Sequence, residues 1–228
     1  MLIIAVNLLC NILPLNNKTT GELSDKFESL ITPAGFAFSI WSIIYLLLLI
    51  FVIKVWKEYK TNEHYSKFLL PLFIIQSLMN ILWLFAWHYE HIALSALIMF
   101  GLLLALILIY KTLESSNLWI LPWSVYLGWI SVASIVNVSV LLLDNKVMFF
   151  LSHALFFSYI MAIAAAVLAV FFLFYKKDFF YPLVIVWALF FIGIANKGLS
   201  NYSVSLWIVS GFIVLLVAYQ KGKYLKLY

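Results

Sequence analysis

Three stretches of the chain gather side chains able to hold a ligand. In QSLMNILWLFAW, Gln76, Asn80, Trp83 and Trp87 recur at i, i+4, i+7 and i+11, the spacing of one helical face. In PWSVYLGWISVASIVN, Pro122, Tyr126, Trp129, Ala133 and Asn137 form a similar stripe. In TPAGFAFSIWSIIY, Phe38, Trp41 and Tyr45 do so again, behind Thr32, Pro33 and Gly35. Trp and Tyr also anchor chains at membrane interfaces, and Asn or Gln hydrogen-bonds between membrane helices, so each residue taken singly has a structural explanation. Depth argues against anchoring for two of them. Trp129 lies roughly 16 Å into its apolar run and Trp41 about 12 Å from Pro33, by helical rise. Together the stripes predict an aromatic-walled cavity, mostly apolar with a few polar groups to orient its ligand. Thr32, Pro33 and Gly35 then belong to a loop that forms its lid.

The elements that must position these residues follow from composition. The chain has 228 residues, is 66% hydrophobic and 10% charged, and has a mean hydropathy of +1.10. A soluble domain is roughly half apolar and about a quarter charged, so the solvent here is lipid. A span needs about 20 apolar residues. On that basis the chain divides into eight spans: 1–15, 33–56, 67–88, 92–111, 118–143, 149–175, 179–196 and 202–220. All must be helical, because open backbone cannot be satisfied in hydrocarbon. The predicted fold is an all-α polytopic bundle with membrane lipid as its first partner. The span 1–15 is short, reaching about 22 Å. That points either to a start read too far downstream or to a helix shortened by Pro14.

The net charge of +5 comes from 14 Lys without Arg. The lysines are scattered between apolar runs, which points to topology rather than nucleic-acid binding. One side collects Lys54, Lys57, Lys60, Lys67, Lys111, Lys176, Lys177, Lys221, Lys223 and Lys226, the other only Lys18, Lys26, Lys146 and Lys197. The positive-inside rule places both termini in the cytoplasm of a cell-membrane protein, with loop 16–32 outside. The lone Cys10 excludes an internal disulfide and a thiolate metal site.

These residues resemble the tryptophan-rich sensory protein family (TspO/MBR, the translocator protein and peripheral benzodiazepine receptor group). The resemblance rests on Pro33, Trp41 and Tyr45, then on Gln76, Asn80 and Trp83, and finally on Tyr126, Trp129, Ser131, Ala133 and Asn137, in order on the second, third and fifth spans. It covers roughly residues 1–143, a five-helix unit. The remaining residues 144–228 add three spans packed in the same bundle, where Ala162/Ala166 and Ala165/Ala169 give small-xxx-small spacing. The resemblance implies a ligand cavity for porphyrin, haem or a similar apolar molecule, with no required cofactor and a homodimer as one assembly. Some members promote light-dependent porphyrin breakdown, and Trp41 and Trp129 match the tryptophans implicated. The fifth span ends LLLDNK without Tyr, so the family's sterol-recognition motif is absent there.

His88, His91 and His153 fall on one predicted side and are weak candidates for a metal or a haem iron; an ordinary solvated turn is the simpler explanation, and no metal is expected. No nucleophile triad, paired intramembrane carboxylates or phosphate-binding glycine loop is present, so no enzyme is expected. A ligand-binding sensor leads. A transporter of an apolar or amphipathic molecule and a structural or regulatory partner subunit stand as alternatives.

Overall fold

The computed structural model describes residues 20–27, 29–58, 68–113 and 118–225. The predicted span 1–15 lies outside these residues. Among the described residues every regular element is helical. A short helix α1 (Thr20–Asp25) precedes a 3-10 turn (Gly35–Ser39) that runs into α2 (Ile40–Glu58). Then come α3 (Leu70–His88), α4 (Ile92–Thr112), a 3-10 turn (Leu118–Ile120), α5 (Leu121–Asp144), the short α6 (Met148–Ser152), α7 (Ala154–Phe174), α8 (Phe180–Ala195) and α9 (Ser200–Leu225). Six segments among the described residues are long and apolar enough to cross a membrane: Gly35–Trp56, Leu70–His88, Ile92–Thr112, Leu121–Asp144, Ala154–Phe174 and Ser200–Tyr224. At 16 residues, α8 would reach only about 24 Å. The protein is a multi-pass helical membrane bundle.

The bundle is built around α5, which packs on α2, α4 and α8 and is 72% buried over its apolar window. Its contact with α8 is close: a Cβ on Gly128 would lie 3.0 Å from Val184 Cβ. On the far side of α8, a Cβ on Gly193 would collide with the Trp207 indole, whose Nε1–H donates to the Phe190 carbonyl at 3.2 Å. Small residues let backbones approach where no hydrophobic force drives helices together. In α7 the buried stripe is Ser158, Ala162, Ala165, Ala169 and Leu173. Ala166 is only half-buried, so the seam steps by three and four residues rather than through the Ala162/Ala166 pair expected from sequence. The expected span 149–175 is also interrupted. At its break Ser152 Oγ donates to the Met148 carbonyl at 2.9 Å and His153 Nδ1 lies 3.1 Å from that of Phe149, local bonds that compete with helix continuation.

Successive connections alternate between two ends. The loop before α2, the α3–α4 turn, Asp144–Val147 and Asn196–Leu199 share one end, called here the lid end. Thr112, Tyr175–Phe179 and the C-terminal part of α9 share the other, the lysine end.

At the lysine end Asp178, 4% exposed, ties three helices together. One oxygen accepts the hydroxyls of Tyr110 (α4) at 2.7 Å and Ser124 (α5) at 2.6 Å. The other accepts the backbone N–H groups of Phe180 and Tyr181 at 2.8 and 3.1 Å, which caps the start of α8 as N-terminal carboxylates do. Asp178→Ala leaves two buried hydroxyls and two helix N–H groups without their acceptor. A hydrogen bond to a charged group contributes about 1.5–3 kcal/mol, so a loss of about 3 kcal/mol is expected in a denaturant titration of the detergent-solubilised protein. Asp178→Asn keeps one carbonyl oxygen and should lose less; equal losses would contradict this account.

Candidate functional site

The three stripes predicted from sequence converge. Trp41 of α2 stands at the centre. It stacks on Tyr45 (5.4 Å between centroids, 12° between planes) and meets Tyr126 and Trp129 of α5 edge-on at 5.8 and 6.4 Å. Trp83 of α3 lies 6.4 Å from Trp41 and stacks on Trp87 at 6.0 Å. Phe38, in the 3-10 turn that opens α2, meets Trp129 edge-on at 5.7 Å. These offset and perpendicular geometries are the favourable ones for rings with negative faces and positive edges.

Amides hold the cluster in register. Asn137 Oδ1 accepts the Ser95 hydroxyl of α4 at 2.9 Å and the Trp83 indole N–H of α3 at 3.4 Å, while its Nδ2 donates to the Ala133 carbonyl at 2.9 Å. Asn80 Nδ2 donates to the Tyr126 hydroxyl at 2.8 Å. Both asparagines are buried, at 2% and 0% exposure. Gln76, one turn below Asn80, donates to Ser77 Oγ at 2.9 Å, and among the described residues its carbonyl oxygen has no hydrogen-bond partner.

The segment before α2 closes the lid end. Trp87 Nε1 donates to the Thr20 carbonyl at 3.5 Å, the Ser29 and Ser139 hydroxyls share a buried 2.7 Å hydrogen bond, and Lys26 pairs with Glu90. The C-terminal helices clamp the same segment. Asn196 Nδ2 and the Tyr202 hydroxyl donate to the Leu30 carbonyl at 2.9 and 3.4 Å. Ala34 N–H donates to the Phe191 carbonyl at 3.1 Å, and the Trp187 indole donates to the Ala37 carbonyl at 3.0 Å.

Beneath this lid lies a cavity walled by Thr20, Ser24 and Pro33 of the lid segment, Phe38, Trp41, Trp83, Trp87 and Trp129, and the Val132–Asn137 stretch of α5. It offers about 30 Å³ to a water-sized sphere, room for one or two waters, against about 300–1,000 Å³ for a drug-sized ligand. The rings fill the space by packing on one another, and the site is contracted.

Of the residues predicted from sequence, Phe38, Trp41, Trp83, Trp129, Asn137 and Pro33 line the cavity. Tyr45, Gln76, Asn80 and Tyr126 form the buried layer beneath. Thr32 is buried in the lid, whereas Gly35 is exposed, has no positive φ, and a Cβ there would meet nothing within 4 Å. Gly35 therefore has no steric role in the turn. Trp87, in the sequence stripe but not taken as ligand-binding, and Thr20 and Ser24 belong to the wall as well; nothing in their local sequence marks the last two. The histidines differ from a solvated cluster. His88 is 1% exposed with Nδ1 at 2.8 Å from the Leu84 carbonyl, whereas His91 and His153 are exposed. Among the described residues no three His, Cys, Asp or Glu side chains are grouped to hold a metal.

The family model described as TSPO-like protein matches residues 1–219. No curated protein and no solved structure matches the chain. The match continues well past residue 143, where the resemblance read from sequence ends, and takes in α7, α8 and most of α9.

Replacing Asn137 by Leu removes the acceptor of the Trp83 indole. Ser95 retains the Ile92 carbonyl, 3.1 Å away. Asn137→Leu should therefore cost about 1–2 kcal/mol, and Ser95→Ala distinctly less, in the same denaturant titration. The reverse order would remove Asn137 from its role as the hub of this layer.

Proposed function

The chain belongs to the TSPO-like protein family, and from that premise we propose that its aromatic cavity binds a tetrapyrrole, porphyrin or haem, or an apolar molecule of comparable flatness. The observation that carries this reading is the convergence of Trp41, Trp83 and Trp129 from three helices under one lid, with the Asn137 amide on the wall. Indole faces suit a flat conjugated ring, and a few buried polar groups suffice to orient it. Because the cavity is contracted, binding requires the lid or the rings to move apart. The ligand then takes over the stacking that the rings give one another.

Protoporphyrin IX titrated against the intrinsic tryptophan fluorescence of the detergent-solubilised protein tests this. Saturable quenching in the micromolar range, about −8 kcal/mol, is expected. It should weaken at least about tenfold in Trp129→Phe and in Asn80→Ala, the first by removing a wall and the second by releasing Tyr126. Non-saturable quenching, or quenching indifferent to both changes, would refute it.

We further propose that the protein lies in the cell membrane with the lysine end and both termini on the cytoplasmic side, since Lys111, Lys176, Lys177, Lys221 and Lys223 share that end. Single cysteines introduced at Glu90 and at Lys111 in a Cys10→Ser background should be labelled by an impermeant maleimide from outside and from inside respectively. The opposite pattern would invert the topology.

A further inference from the structure

A second cleft lies on the opposite face of α5 from the tryptophans. Its walls are α4, through Leu103 and Ile107, and α7, through Leu168 and Phe172; Ser131 and Ser134 of α5 lie along its floor. It encloses about 270 Å³. At the lysine end its walls meet, with Tyr110 edge-on to Phe172 at 5.3 Å and Phe172 stacked on Tyr181 at 3.7 Å. The floor hydroxyls already donate to the carbonyls one turn back, Ser131 to Leu127 at 2.8 Å and Ser134 to Ile130 at 2.7 Å. The interior of the cleft therefore needs no polar ligand, and an alkyl chain suits it.

The rim at the lysine end is cationic on both walls. Lys111 closes α4 and is exposed, and Lys176 and Lys177 follow α7, the first half-exposed and the second exposed. The Tyr110 to Asp178 hydrogen bond holds the ends of the two walls together. Among the described residues Asp178 is the acidic neighbour, and it is turned inward onto its four donors. The Lys176 and Lys177 amines lie over the Tyr175 and Tyr224 rings at 5.3 and 5.5 Å. A cleft lined mostly by apolar side chains and set within membrane helices, with three lysines at the ends of its walls, matches a lipid with an alkyl tail and an anionic head. Basic pockets between membrane helices recognise such headgroups.

We propose that the α4–α7 cleft is a binding site for an anionic phospholipid, with one acyl chain along Ser131 and Ser134 and the phosphate against Lys111, Lys176 and Lys177. This seat is separate from the tryptophan cavity and independent of what that cavity binds. Its occupant would brace α7 against α4 along the floor of α5.

Native mass spectrometry of the full chain, released from mixed micelles holding equal phosphatidylglycerol and phosphatidylcholine, tests the site. At about fivefold per lysine before screening, phosphatidylglycerol should be retained at least about tenfold over phosphatidylcholine. The preference should fall with added salt. Lys111→Gln/Lys176→Gln/Lys177→Gln should abolish it, while Lys221→Gln/Lys223→Gln, at the same end but on α9, should leave it. Leu103→Phe/Val138→Phe, which fills the cleft without touching a lysine, should also abolish it. Equal retention of both lipids by the unaltered chain would overturn the proposal, as would a preference that survives the triple substitution. Loss with the lysines but not with the filled cleft would also overturn it, because it would reduce the effect to charge at a surface.

Discussion

Hydrocarbon offers no water to complete a hydrogen bond, so a polar side chain inside this bundle is committed to another part of it. That constraint organises the molecule more than any apolar contact, since Leu against Leu gains little over Leu against a lipid tail. Asn137 joins α3, α4 and α5; Asn80 joins α3 and α5; Asp178 joins α4, α5 and α8. Each of these contacts sets the rotation and height of a helix as well as its proximity. The aromatic cluster is a consequence. Once Asn80 and Asn137 fix α3 against α5, Trp83 and Trp129 must face the same space, and Trp41 enters it from α2.

The lid shows what the C-terminal helices contribute. Three of the lid's backbone groups, the Leu30 and Ala37 carbonyls and the Ala34 N–H, are bonded by α8, α9 and the turn between them, the Ala37 carbonyl accepting the Ile40 N–H of α2 as well. A loop carries such groups exposed unless something pairs with them. Here α8, capped by Asp178 at the lysine end, presents Trp187, Phe191 and Asn196 to the loop near its other end. One short helix thus links an electrostatic anchor at one end of the bundle to the cover of the cavity at the other. That the family match runs to residue 219 accords with a fold in which these helices are not an appendage.

Much of this was legible in the sequence, for a physical reason. Hydropathy and helical periodicity are local, and lipid solvent imposes them strictly, so the expected spans from residue 33 onward fall on helices, except that 149–175 is broken at His153, and the stripes of Gln76–Trp87 and Tyr126–Asn137 are largely buried. What was not legible depends on which helix end meets which. In the run KKD at 176–178 only the two lysines were legible, as topology signals; Asp178 is buried because Tyr110 and Ser124 reach it. His88 reads as part of a wet turn, yet it is the last buried residue of α3. Gly35 reads as part of the lid loop, and its backbone there has no positive φ. Thr20 and Ser24 enter the cavity wall only because the lid folds back over it.

The small size of the cavity is itself informative. A void of about 300 Å³ left open among these rings would cost about 7 kcal/mol at about 24 cal/mol per Å³, as much as many domains' entire stability. Packing the rings on one another avoids that cost. Each ring pair contributes about 0.5–1.5 kcal/mol beyond simple burial, and a molecule entering the site must replace several at once. An aliphatic guest offers burial alone and recovers only part of that loss. A flat conjugated guest can stack on Trp41, Trp83 and Trp129 in turn and recover most of it. On the proposed function, the same ring contacts would favour an aromatic guest over an aliphatic one. That preference would reside in what must be broken as well as in what can be made.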